Sequence, residues 1–348
     1  MSKASSDNAA VSMSEVPLRR KVAFLSSSRA YPGFTGEVEV KQTHMAWVFL
    51  AGDRVYKLKK PVEYTYRDCH FLGDREFLCH EEVRLNRRLA PEVYLGVSAL
   101  RVDPEGSLAL DGEGEVVDWL VVMKRLPEHL MLDVALSRET ASGQGITRVA
   151  QRLSGFYRGL APVEMSPDTY LEGFRRELDH NRAVLTDSRF SLARGGVLAM
   201  LERLDRVLEE EPDLLGERPR QGRIIEGHGD LRPEHVCLCD PPVVIDCLEF
   251  SRPLRLVDPF DELSFLGLEC ERLGGAWIFE RLVSECSRAL DDHPSRRLLA
   301  FYTAYRACLR ARLSLAHLLE PDPRTPEKWK PRARQYLALG QRACRALD

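Results

Sequence analysis

HGDLRPEH, residues His228–His235, is the stretch whose reading decides the fold. It holds a His-x-Asp and, five residues after Asp230, a second histidine. The segment that follows, VCLCDPPVVIDCLEF, reads as strand, Pro-Pro turn and strand, because β-branched residues flank a turn of Asp and Pro. Asp230 stands before the first strand and Asp246 after the second, about sixteen residues on, so Asp230, His235 and Asp246 face one cleft at the strand ends. Two carboxylates in one cleft repel each other, and the pair calls for a cation. Magnesium carried by a nucleoside triphosphate is such a cation.

Working outward, VEVKQTHMAWVFLAGDRVYKLKKPV (38–62) reads as strand, turn, strand, with AGD as the hairpin turn. GDREFLCHEEVRLNRRLA (73–90) has helical spacing, with Phe77, Leu78, Val83, Leu85 and Leu89 on an apolar face and Pro91 as its stop. YLGVSALRVD and VVDWLVVMKRL are two more strands around a Gly-rich turn. Residues 38–126 therefore form an antiparallel sheet with one inserted helix, and RRKVAFLSSSRAYP before them is a short helix and a Pro-Gly loop. After KRLPEH the pattern turns helical, as in ITRVAQRLSGFYRGLA and VLAMLERLDRVLEEE. The hairpin interrupts that pattern, and helices return to the end. The expected class is α+β: a tail over 1–20, a sheet lobe over 21–126, a linker near 124–130, and a mainly helical lobe over 127–348.

The 348 residues suffice for two domains or one large two-lobed unit. Hydrophobic residues at 44% and charged residues at 30% are those of an ordinary globular protein. A net charge of −3 offers no basic field for nucleic acid. Short basic clusters such as RRLA and KWKPRAR read as solvated helix faces. No apolar run approaches 18 residues, so no membrane helix is expected. The polar N-terminus MSKASSDNAAVSMSEVP has no secretory h-region and reads as disordered. Nine cysteines without an export signal read as reduced thiols in the cytoplasm.

The paired HGD and ID elements, with VYKLKKPV, EEVRLNRRLAPEVYLG and VIDCLEF, make the chain resemble the aminoglycoside phosphotransferase family of kinase-like enzymes, in a bacterial branch of it. The resemblance runs from about residue 38 to 315 and implies a two-lobed protein-kinase-like fold with ATP between the lobes. It implies that Asp230 accepts or orients the proton of a substrate hydroxyl, and that Asp246 binds Mg2+ or Mn2+. Lys57 matches the lysine on the α- and β-phosphates, with Lys59 on the same strand face as its rival. Glu82, or its neighbour Glu81, matches the helix glutamate that pairs with that lysine. VVMKRLP (121–127) matches the connector whose backbone binds adenine, through Val121 and Met123. Glu262 stands where many relatives have a structural aspartate. The implied substrate is a small molecule with a hydroxyl, not of necessity an aminoglycoside. Close relatives can carry a second, P-loop domain after this one, and this chain ends at Asp348 without it.

The chain also departs from the family pattern. His235 stands where the pattern has a metal-binding Asn, and an imidazole is softer than an amide oxygen. His235 then ligates the second metal, or faces phosphate beside a single metal, or marks a chain that binds nucleotide without transferring phosphate, as a regulatory scaffold would. Glu249 is a replacement carboxylate ligand. There is no GxGxxG loop and no P-loop motif. A rival reading makes His235, Cys237, Cys239 and Cys247 a zinc site, although the usual CxxC knuckle is missing. Lys57, Lys59, Glu81 and Glu82 have a plainer reading as solvated faces, and His228 as a loop-holding residue. Arg306 and Arg310, at i and i+4 on a late helix, read as an ion-paired face or as an anchor for an anionic substrate.

Overall fold

Alternation of side chains along 46–59 sends Tyr56 and Leu58 to one sheet face and Lys57 and Lys59 to the other. That hairpin is the centre of the first of two compact units, Met1–Arg125 and Leu126–Asp348. The structure, a computed structural model, describes residues 16–61, 63–64, 67–320, 323 and 325–347. The expected tail lies outside the described residues through residue 15. Its last residues, 18–20, are instead the first turn of a helix, α1 (Leu18–Leu25).

The first unit holds strands β1 (Glu39–Gln42), β2 (Ala46–Ala51), β3 (Arg54–Lys59), β4 (Glu63–Tyr64), β5 (Arg67–Asp68), β6 (Tyr94–Val102), β7 (Leu108–Leu110) and β8 (Glu115–Lys124). Helix α2 (Leu72–Asn86) comes between β5 and β6. The main sheet has the order β1-β2-β3-β8-β6-β7, every neighbouring pair antiparallel. Gly52, at φ 65°, makes the β2–β3 turn. On one face Leu58, Phe49, Leu100 and Leu120 pack with Leu25 of α1 and with Tyr31, whose ring meets Tyr56 at 4.6 Å. Helix α2 packs on β8 and β6. Its buried side includes Leu78, Cys79, Glu82, Val83 and Leu85, whereas Phe77 is 49% exposed. The apolar face expected for this helix is thus corrected at Phe77, because burial of Glu82 rotates Phe77 outward.

The second unit carries α3 (Leu132–Ser137), α4 (Gly143–Arg158), α5 (Pro167–Leu185), α6 (Arg194–Glu210) and α7 (Asp213–Arg220). Then come the short strands β9 (Ile225–Glu226), β10 (Val236–Cys237), β11 (Val243–Val244) and β12 (Leu256–Val257). Helices α8 (Pro259–Arg272), α9 (Trp277–Leu290), α10 (Arg296–Ala316) and α11 (Pro326–Cys344) follow. Serine caps start α4, α5 and α10, and Asp258 caps α8, each accepting a backbone N–H of the first turn. Phe174, Phe301 and Tyr305 form an aromatic core between α5 and α10. Arg218 of α7 joins Asp258 and Asp292, and Tyr302 also donates to Asp258 at 2.9 Å. No helix among the described residues is long and apolar enough to cross a membrane.

Candidate active site

The hairpin forms as its sequence suggests, with Val236 opposite Val244 and Cys237 opposite Val243. The strands are only two residues long, so His235 closes a short turn (Pro233–His235) rather than extending a strand. Backbone bonds from Ile245 N to His235 O (2.9 Å) and from Leu248 N to His228 O (3.0 Å) tie the hairpin exit to the His-Gly-Asp loop.

Below the loop, Glu262 at the start of α8 accepts the backbone N–H of His228 (2.7 Å) and of Gly229 (2.5 Å) on one oxygen. Its other oxygen accepts the Tyr157 hydroxyl at 3.1 Å. Burial pushes the Glu262 carboxyl above its usual range, against the pull of those donors. Gly227 must be glycine for this approach, since a Cβ there would lie 2.8 Å from the Glu262 carboxylate. His228 is fully buried, accepts the Asp230 N–H on Nδ1 (3.3 Å) and donates from Nε2 to the Ile245 carbonyl (2.9 Å). Burial, then the neighbouring His235, lowers its pKa to about 4, so it is neutral and holds the loop. Arg255, 2% exposed, donates to Glu226 (2.7 Å) and to the carbonyls of Leu248 (2.8 Å) and Glu249 (3.3 Å). It thereby ties the hairpin exit to β9.

Above this base, His235 donates from Nδ1 to the Asp230 carbonyl at 2.8 Å, which leaves Nε2 as its acceptor. Nε2 lies 3.4 Å from Asp246 Oδ2, and Nδ1 lies 3.9 Å from Asp230 Oδ2. Asp246 has φ 61°, a region that aspartate enters more readily than most residues. Asp230, His235 and Asp246 are thus brought together. The cation beside them is Arg232, which nothing in the spacing singled out. It reaches Asp230 Oδ2 (2.9 Å), Glu234 Oε1 (2.6 Å) and His235 Nε2 (3.2 Å). Burial works to raise the Asp230 pKa, but Arg232, His235 and Arg310 outweigh it, and the net shift is downward. Asp230 therefore has a resident counter-charge in Arg232, a cation that the sequence reading did not name. In the sequence its one mark is that it stands two residues after Asp230, and the burial that makes the pair matter came only with the fold.

Asp246 Oδ2 and His235 Nε2 are close enough for both to ligate one divalent ion at roughly 2.0–2.2 Å from each. A carboxylate with an imidazole suits manganese at least as well as magnesium. Among the described residues no three-ligand cluster joins Glu249 to His235 and Asp246. Cys239 and Cys247 donate to carbonyls, at 3.1 Å to Pro241 and 3.1 Å to His228, and burial pushes the Cys237 thiol up to about 12. These thiols act as small buried residues and form no zinc set among the described residues.

In the first unit, Lys57 and Lys59 both reach Glu82, at 2.9 and 2.6 Å. Glu82 is fully buried, whereas Glu81 is partly buried and pairs with Arg84 at 2.7 Å. Lys59 is the more buried lysine, its side chain 6% exposed against 15% for Lys57. Val121 and Met123 do not lie in a connector. They sit inside β8, paired to Lys57 and Val55 on one side and to Val97 and Tyr94 on the other. Main-chain groups of a central strand are turned to their neighbours, so the adenine expectation for these two residues is corrected. Lys124 still pairs with Arg54, and the chain leaves the sheet after it.

Arg306 places Nε and Nη2 on Asp261 at 2.7 and 2.6 Å and is buried. That ion pair withdraws Arg306 from the substrate expectation. Arg310 donates from Nε to Glu269 at 2.6 Å.

No family model matches the chain. Uncharacterized proteins of Mycobacterium bovis and Mycobacterium tuberculosis are 31% identical to it over 290 residues, which is 82% of this chain and 56% of each relative. The chain spans about half the length of the curated relatives it matches. The crystal structure of a choline/ethanolamine kinase family protein from Mesorhizobium loti superposes with a TM-score of 0.54 at 16% identity, covering 94% of this chain and 98% of that one. The GDP complex of aminoglycoside 2′-phosphotransferase-IIIa gives 0.51 at 14% identity, covering 94% and 99%. At these identities the likeness is one of fold: the chain adopts the kinase-like fold that both of those structures share.

Proposed function

We propose that the chain is a small-molecule kinase that transfers the γ-phosphoryl group of ATP to a hydroxyl. The observation that carries this reading is the hairpin whose entry holds Asp230 and whose exit holds Asp246, both within 4 Å of His235. Asp230, kept ionised by Arg232, accepts a hydrogen bond from the acceptor hydroxyl and aims its oxygen at the phosphorus. A carboxylate of lowered pKa is a weak base, so its work is orientation before proton removal. Asp246 and His235 would hold Mg2+ or Mn2+, which supplies neutralisation of the phosphate charge. Lys57, with Lys59 and Glu82 fixing its place, would meet the α- and β-phosphates. The names of the two structures of like fold, a kinase and a phosphotransferase of small molecules, support the same class, and the GDP in one supports a nucleotide. The nine cysteines are all free thiols, which suits a reducing cytoplasm.

Arg232 favours a second reading. Its guanidinium covers both Asp230 Oδ2 and His235 Nε2, an arrangement that suits a nucleotide-binding regulator without transfer activity. Calorimetry with ATP and Mg2+ or Mn2+, on wild type and Asp246→Asn, tests whether nucleotide binds here at all. Metal-dependent binding that Asp246→Asn abolishes is expected. Slow ATP hydrolysis lost in Asp230→Asn then favours the kinase, and binding without hydrolysis favours the regulator. No binding with either metal removes both readings.

A further inference from the structure

Three helices of the second unit meet at Glu269 of α8. Its carboxylate accepts Arg310 Nε of α10 at 2.6 Å, Arg272 Nε at 3.1 Å and the Tyr336 hydroxyl of α11 at 2.8 Å. Both guanidiniums also lie over the Tyr336 ring, each 5.5 Å from its centroid. Burial raises the Tyr336 pKa, so its hydroxyl remains neutral. Two arginines thus share one carboxylate, and the cluster carries one surplus positive charge.

That charge has a free edge. Arg310 spends Nε on Glu269, and its Nη2 lies 3.5 Å from the Tyr336 oxygen. Its Nη1 has no hydrogen-bond partner among the described residues, and the side chain keeps 14% exposure. A guanidinium with an open edge in a poorly solvated place binds carboxylate or phosphate strongly.

The cluster adjoins the loop. The turn Pro233–His235 packs on α8, and the charge of Arg310 acts on Asp230, Arg232 and Glu234. The loop itself has the opposite surplus, since Arg232 serves both Asp230 and Glu234. The surplus negative charge of the loop is thus met by the positive charge of Arg310, on a helix that shares α8 as a neighbour with the turn.

We propose that Arg310 is a specificity-determining residue, which holds the carboxylate or phosphate of a hydroxylated anion while the hydroxyl of that anion meets Asp230. The assignment rests on the kinase reading for its hydroxyl half. It selects hydroxy acids or phosphorylated polyols over neutral polyols and amino alcohols.

The test is binding of four probes of similar skeleton to the full chain by calorimetry, without nucleotide. They are glycerate, glycerophosphate, glycerol and aminopropanediol. Wild type is expected to bind at least one of the two anions about tenfold or more tightly than glycerol or aminopropanediol. Tighter glycerate names a carboxylate and tighter glycerophosphate a phosphate; either supports the assignment. Arg310→Gln is expected to erase the preference, and Arg310→Lys to keep part of it. Equal binding of all four probes by wild type, absence of binding, or a preference for aminopropanediol overturns it without recourse to a variant. So does an anion preference that survives in Arg310→Gln. Because no ATP is present, this outcome is read separately from the metal-dependent ATP binding on which the kinase reading stands.

Discussion

His228 shows how one buried side chain sets the acid limit of the loop. Its pKa is lowered from 6.5 to about 4, first by burial and then by His235. Below pH 6.5 the unfolded chain takes up a proton that the folded chain refuses until about pH 4. Stability supplied by the neutral ring is therefore complete above pH 6.5 and is lost as the pH falls to 4, by about 3 kcal/mol. Urea midpoints of the metal-free protein across that window should fall more steeply for wild type than for His228→Gln, which has no proton to take up. Equal slopes would show that another group governs the acid transition. Close by, Gly227 and Glu262 illustrate a constraint of space, because the carboxylate that collects the loop N–H groups lies where any Cβ at 227 would go.

At the scale of elements, charge pairs do the joining in the first unit. Asp118 of β8 takes Lys21 of α1 at 2.7 Å and Arg75 of α2 at 2.8 Å, and all three residues are buried. Asp118→Ala would leave two buried cations without their carboxylate, at a cost of about 3–5 kcal/mol. Chemical unfolding should show that loss, and a change below about 1 kcal/mol would mean that the cations reach water without it. The β3–α2 pair divides its labour differently. Lys59, more buried, is expected to serve the fold and Lys57 the nucleotide. Lys59→Ala should lower stability by about 1–3 kcal/mol, while Lys57→Ala should weaken ATP binding about tenfold with little loss of stability. The opposite pattern, seen by paired melting and calorimetry, would exchange the two roles.

For the molecule as a whole, a ligand that binds the folded chain adds stability by mass action. MgATP or MnATP at about a hundred times its dissociation constant should add about 2.7 kcal/mol and raise the melting temperature. The rise should vanish in Asp246→Asn, and a rise that persists there would move the nucleotide away from the hairpin. Much of this architecture was legible beforehand. Alternation along 46–59 and 94–124, helical spacing through 143–210, and the turn residues of the hairpin are local patterns, and local sterics and burial on one face suffice to produce them. Asp230, His235 and Asp246 could be gathered on paper for the same reason, since one short hairpin separates them. The sequence determined those elements and that constellation, and with them an expected class that the fold bears out. Periodicity says which face of an element is buried but not what covers it. Only the tertiary structure decided that Glu82 faces in and Phe77 out, that Val121 and Met123 lie within the sheet, and that Arg306 belongs to Asp261. It also chose Glu262 to hold a loop 34 residues away and Lys21 to meet Asp118 across 97 residues. A charge is costly to bury alone, so it takes whatever partner the packing of distant segments brings beside it, and that choice is written in no local stretch of the chain.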